Sequence, residues 1–113
     1  MLKKLNRISH NKDFDRVFKT GQSFYGKNLG VKAASNGQKI CRFGILISSK
    51  VSKKAVMRNK FKRQLRAVIR GELGKLKTGH DVVIIVFPQI LDKNFQEVEK
   101  FLKRGLEGLC LYK

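Results

Sequence analysis

Few side chains in this 113-residue sequence could perform acid–base or metal chemistry. His10 and His80 are the only histidines, one in a basic terminal segment and one just ahead of an apolar run. General acid–base hydrolysis needs a positioned pair of proton-transfer groups, and metal-assisted hydrolysis needs clustered carboxylates or imidazoles. Neither pattern occurs: both histidines read as surface residues, and Asp81 stands alone at the edge of a strand-like run. Cys41 and Cys110 have no His or Cys at zinc-ligand spacing, and there is no glycine-rich phosphate loop of Walker type. The sequence thus presents no catalytic residue and no metal ligand. Two free thiols with no disulfide partner are expected, as in a reducing cytoplasm.

What the sequence does present is cations. Twenty-six Lys and Arg against eight Asp and Glu give a formal net charge of +18. Between Asp15 and Glu72 there is no acidic residue, while that stretch carries fifteen Lys and Arg. So much like charge in a compact body repels itself, which points to an anionic partner. A solubilising surface would mix signs. The densest segment runs through Lys50, Lys53, Lys54, Arg58, Asn59, Lys60, Lys62, Arg63, Arg66 and Arg70. At 100° per residue Met57, Phe61, Leu65 and Val68 share one helical face, the core side. Arg58, Lys62, Arg66 and Arg70 recur at i+4 on another, with Asn59 and Arg63 beside them. Like charges at that spacing weaken an isolated helix by tenths of a kcal/mol per pair. Phosphates would neutralise such a ridge. A nucleic acid is favoured over a membrane surface, because no large exposed apolar residues accompany the cations.

The elements that must position this ridge follow from length and periodicity. A chain of this size forms one domain, burying roughly two thirds of its unfolded surface. No linker or repeat divides it, so residues 1–113 read as a single domain. No apolar run approaches the ~20 residues needed to span a bilayer. The start, Met1-Leu2-Lys3-Lys4-Leu5-Asn6-Arg7, lacks the apolar stretch of a secretory signal. Asn11 to about Lys19 predicts a short helix, with Ser9 or Asn11 as cap and Phe14, Val17 and Phe18 on one face. Gly21 and Gly26 mark a turn region. Strands are expected near Asn28–Ala34 and Arg42–Ser48, with Asn36-Gly37 a hairpin-type signal between them. A long helix from about Lys54 to Arg70 ends at Gly71. Val82 to Phe87 reads as a central strand covered on both faces and closed by Pro88. A last helix spans about Asn94 to Gly108, with Phe95, Val98, Phe101, Leu102 and Leu106 at helical spacing. Together these make an α+β sandwich.

The string Ala55-Val56-Met57-Arg58-Asn59-Lys60-Phe61-Lys62-Arg63-Gln64-Leu65-Arg66 resembles the arginine-rich signature of the bacterial ribonuclease P protein family. That signature reads roughly Ala-Val-x-Arg-Asn-x-x-Lys-Arg-x-x-Arg. Asn6-Arg7, Asp13-Phe14, Val17-Phe18 and Gly21 are similar to the family's amino-terminal helix and following turn. Phe43-Gly44-Ile45 leading to Ser48 and Lys50-Val51 resembles the strand that feeds the signature. The resemblance covers most of the chain.

It implies a two-layer α/β sandwich in the order αβββαβα. The sheet would be four-stranded and mostly antiparallel, with a left-handed βαβ crossover. It also implies a protein subunit that assists a large catalytic RNA in cutting the 5′ leader from precursor tRNA. The RNA would carry the hydrolysis and require Mg2+, with no cofactor held tightly by the protein. By the same resemblance, Lys50, Lys53, Lys54, Arg58, Asn59, Lys60, Lys62, Arg63, Arg66 and Arg70 face the catalytic RNA. Phe14, Arg16, Phe18, Lys19 and Lys32 face a leader cleft between the first helix and the sheet. Arg can fork onto phosphates, and an exposed Phe can stack on a base. Two departures stand out. Ser48-Ser49-Lys50-Val51-Ser52-Lys53-Lys54 lacks the family's usual Lys pair and Gly-Asn and is one residue longer. Lys32 stands where the cleft-facing strand often has an aromatic. Two alternatives remain: a small structural ribosomal-type RNA binder, and an autonomous basic ribonuclease.

Overall fold

The computed structural model describes residues 3–113, so Met1 and Leu2 of the start read as lacking a secretory signal lie outside the described residues. In chain order the elements are α1 (Asn11–Thr20), β1 (Gln22–Tyr25), β2 (Leu29–Ser35), β3 (Arg42–Leu46), α2 (Ala55–Glu72), β4 (His80–Val86) and α3 (Phe95–Gly108). The four strands form one sheet in the order β1-β2-β4-β3. The β1–β2 and β2–β4 pairs are antiparallel, and β3–β4 is parallel. A parallel neighbour cannot be reached by a tight turn, so α2 carries the chain back in a βαβ crossover. The fold is the α+β sandwich in αβββαβα order.

Side-chain alternation assigns the faces. Val82, Ile84 and Val86 of β4, Leu29, Val31 and Ala33 of β2, and Phe43 of β3 join the main core with Phe61, Leu65, Val68 and Ile69 of α2. Val98, Leu102 and Leu106 of α3 complete it. This layer pair, sheet against α2 and α3, is the body of the sandwich. The opposite face holds a smaller cluster of Ile8, Val17, Ala34 and Val83, with Phe14 and Ile85 against it. There α1 crosses the sheet. β4 is therefore covered on both faces, as its unbroken β-branched run requires.

Several local expectations give way. The region between Gly21 and Gly26 is not merely a turn: it is the edge strand β1, paired Gln22 to Ala33 through Tyr25 to Gly30. Asn36-Gly37 does not close a hairpin, because β4 lies between β2 and β3. Gly37 takes φ +69°, a turn conformation glycine adopts freely. α1 is capped by neither Ser9 nor Asn11; His10 holds the N-cap position and its side chain makes no capping bond. α2 runs past Gly71 to Glu72, because the buried Glu72 carboxylate is held by Lys103 at 3.1 Å and Lys75 at 3.4 Å. α3 begins at a full capping box, with the Asn94 side chain accepting from Glu97 N and Glu97 reaching back. Phe95 precedes the apolar stripe and is 40% exposed, so it lies outside the core.

Candidate nucleic-acid interface

The loop ahead of α2 is short and pinned. Val51 is buried, and Ser48 accepts from the backbone of Val51 and Lys50. Lys50, Lys53 and Lys54 are left exposed around the start of α2, which has no acidic residue in its first turn. Ser52 Oγ accepts from Lys54 N at 3.2 Å, and Arg58 Nη1 donates to the Ser52 carbonyl at 2.7 Å. Arg58 thus ties loop to helix while keeping its charge at their junction.

Phe61, Leu65, Val68 and Ile69 are buried, and Met57 is half-buried, as the spacing requires. Asn59, Lys60, Arg63 and Arg70 are exposed; Lys62 and Arg66 are half-buried on the flank. No cation of α2 forms an ion pair with a carboxylate among the described residues. Burial, then the positive charge of Arg7, pushes the Arg66 guanidinium below its ordinary value. Arg7 therefore belongs to this basic surface. It is brought there by a parallel bridge to Phe43 on the free edge of β3, with Ile8 N donating to the Phe43 carbonyl at 2.9 Å.

A second surface lies across the sheet, beside α1. Phe14 is half-buried, and its ring occupies the space above Gly44, where an added Cβ would meet Phe14 Cε1 at 2.4 Å. Phe18 is 39% exposed, with Lys32 Nζ 5.2 Å from its ring centroid. Lys19 is exposed. The face continues to two aromatics that the sequence reading missed. Tyr25, 56% exposed, lies over Gly30, and its ring meets Phe87 at 6.4 Å, tilted by 37°. Glycine at position 30 is what lets the Tyr25 ring lie flat on the strand. Tyr25 thus sets an aromatic ring on the strand beside Lys32, on the same face.

At the far end of this face Asp81 corrects a reading. It is not alone at an edge: it lies on the central strand and is fully buried. Its carboxylate accepts from Arg42 Nε at 2.8 Å and Nη2 at 2.6 Å, from Asn36 Nδ2 at 3.0 Å, and from Arg16 Nη2. Arg16 Nη1 donates to the Ser35 carbonyl, so its fork is taken up within the fold. Arg42 also approaches Asp13 of α1 at 3.4 Å, and the bond to Asp81 holds the Arg42 guanidinium above its ordinary value. His10 is exposed, and His80 is half-buried with Nδ1 3.1 Å from the Thr78 carbonyl. Among the described residues no three His, Cys, Asp or Glu converge as a metal site. Cys41 is buried and Cys110 exposed, and both are free. No described helix is long and apolar enough to cross a membrane.

Comparisons with known proteins agree along most of the chain. The Ribonuclease P family model matches residues 2–110. The "Ribonuclease P protein component" of Synechocystis sp. is 45% identical over 109 residues, spanning 96% of this chain and 85% of that protein. Its counterpart in Microcystis aeruginosa is 38% identical, spanning 93% and 91%. Among solved structures, the RNase P protein of Staphylococcus aureus superposes with a TM-score of 0.89 at 27% identity, covering 96% of this chain and 98% of that one. The RNase P protein of Thermotoga maritima gives 0.82 at 30% identity, covering 90% and 96%.

Proposed function

The chain belongs to the ribonuclease P protein family, and from that premise we propose that it binds two RNA segments at once, the catalytic RNA through α2 and the 5′ leader of precursor tRNA through the α1 face. It is a ribonuclease P protein subunit, an RNA-binding protein of tRNA processing whose partner is the ribonuclease P RNA. The whole chain acts as one RNA-binding domain. Hydrolysis of the phosphodiester belongs to the RNA and its Mg2+, and the protein holds no tight cofactor. The assembly works in the cytoplasm.

One observation carries this reading: among the described residues the α2 cations, exposed or half-buried on the flank, form no ion pair with a carboxylate. Their counter-charge must come from outside the chain, and Arg and Lys at this density suit phosphates. Lys50, Lys53, Lys54, Arg58, Asn59, Lys60, Lys62, Arg63, Arg66 and Arg70 form that contact. On the other face Phe14 and Phe18 offer stacking surfaces, while Lys19 and Lys32 supply charge for a single-stranded backbone. Tyr25 and Phe87 extend the same track.

The test is reconstitution. The purified chain is added to a ribonuclease P RNA at low magnesium, and 5′ maturation of precursor tRNA is assayed. Cleavage should be restored by the pair and absent with protein alone. Robust cleavage by RNA-free protein would instead support an autonomous ribonuclease.

A further inference from the structure

The helix that displays Phe14 and Phe18 is weakly held by apolar contacts. Of the ten residues of α1 only Val17 is fully buried, with Phe14 half-buried beside it. Val17 and Phe14, three residues apart on one face, fix the helix's distance from the sheet but hold its roll about its own axis less tightly. The roll is set by polar bonds. Arg16, next to Val17, sends one guanidinium nitrogen to the Ser35 carbonyl at the end of β2 and the other to Asp81 on β4. Arg42, itself doubly bonded to Asp81, reaches Asp13 one helical turn earlier. Asp81 also accepts from Asn36, whose backbone N donates to the Gly79 carbonyl at 2.9 Å, fixing the turn beyond β2. One buried carboxylate therefore fastens α1, the end of β2 and β3 together.

We propose that Asp81 is a positioning residue for the leader track, which fixes the roll of α1 through Arg16 and Arg42 so that Phe14 and Phe18 meet leader bases. Arg16 is then a strut and not a phosphate contact. The inference rests on the leader-binding reading given above. A guanidinium suits the strut because its planar fork can bond two acceptors at fixed angles, which a Lys cannot reproduce. Asp81 itself is 0% exposed, so no leader nucleotide can touch it. Any effect of Asp81 on leader binding must pass through the groups it holds.

The experiment measures affinity of the reconstituted holoenzyme for precursor and mature tRNA, each across a range of salt, with melting temperature recorded for every variant. For Arg16→Gln the ratio of precursor to mature affinity should fall by about tenfold, within the span of ordinary coupling between sites. The slope of log K against log[salt] should not change. Arg16→Lys should recover little. Asp81→Asn should produce the same loss, and adding it to Arg16→Gln should cost little more, because the two act through one bond. If Asp81→Asn fails to fold, the Arg16 variants decide. A direct phosphate contact gives another pattern: Arg16→Gln would lower the slope by roughly 0.7, the value for one single-strand contact, and Arg16→Lys would restore affinity. That pattern overturns the inference, as does a lowered melting temperature with an unchanged ratio. A wild-type holoenzyme that binds precursor and mature tRNA alike would remove the leader reading, and this inference with it.

Discussion

Replacing Phe18 with Ala separates a leader contact from a core residue, because the two roles differ in size and in assay. Fully burying a Phe is worth up to about 3 kcal/mol. Phe18 keeps 39% of its surface exposed, so truncation should cost the fold roughly 1–2 kcal/mol by the same scale, with no sealed cavity added. The contact of Lys32 with the ring accounts for about 0.5–1 kcal/mol at such an exposed site. As a stacking platform, by contrast, Phe18 should contribute about 1–3 kcal/mol to leader affinity. That corresponds to a roughly 5- to 150-fold loss of preference for precursor over mature tRNA.

Phe14 provides the internal comparison. Its ring lies between Gly44 and the smaller cluster, so Phe14→Ala should lower stability more than Phe18→Ala does. Thermal melts of the free protein, beside holoenzyme binding to leader-bearing and leaderless tRNA, read both quantities. A Phe18→Ala variant that melts several degrees lower while precursor preference stays at the wild-type value would refute a stacking role for Phe18.

Three further outcomes are expected. Arg58→Ala with Lys62→Ala should weaken assembly with the catalytic RNA by about 3–6 kcal/mol, at roughly 1.5–3 kcal/mol for each charged bond lost, whatever substrate is present; filter binding of protein to RNA measures it. If six to ten cations meet phosphates, log K for that assembly should fall with log[salt] at about −0.7 to −0.9 per contact, and a total slope near −1 would leave the charge a bystander. Burial, then the charges of Glu72 and Glu107, holds the Tyr112 phenol up at about 12 against an ordinary 10.0. The neutral phenol is thus favoured by folding, so its stabilising contribution is complete below pH 10 and lost as pH rises toward 12. Tyr112→Phe should flatten that part of the stability profile, and tyrosinate absorbance should lose its highest step.

The elements legible in the sequence are those whose pattern is local. The 3.6-residue stripe from Met57 to Val68 and the β-branched run from Val82 to Val86 need no partner to be recognised. β1 escaped because a four-residue edge strand, exposed at Gln22, Ser23 and Tyr25, shows no alternation and exists only by pairing with β2. Asn36-Gly37 misled for the opposite reason: its turn chemistry is sound, but a strand forty residues later inserts between the two it follows and precedes. The α2 ridge was legible because charge periodicity is local too. The pairing of Tyr25 with Phe87 was not, since Phe87 read only as the end of a buried run and the sheet register alone brings the two rings together. Asp81 seemed isolated because its partners, Arg16, Asn36 and Arg42, stand 65, 45 and 39 residues away.

The distribution of acids bears on how so basic a chain holds one fold. Its eight acidic side chains are few, and the two buried ones each face two cations. Asp81 serves two arginines and Asn36, and Glu72 serves Lys75 and Lys103 where α2 meets α3. Glu97 closes the capping box of α3. Asp81 and Glu72 thus join separate elements, while Glu97 secures the start of one helix. None faces the outer side of α2. Negative charge is thus concentrated where it fixes geometry and withheld where an external polyanion can supply it. A mixed-sign α2 would raise the stability of the free protein, since like charges at i+4 oppose the helix. It would also set a carboxylate in competition with every phosphate. The unpaired ridge accepts the first cost and avoids the second, so RNA binding and relief of self-repulsion become the same event.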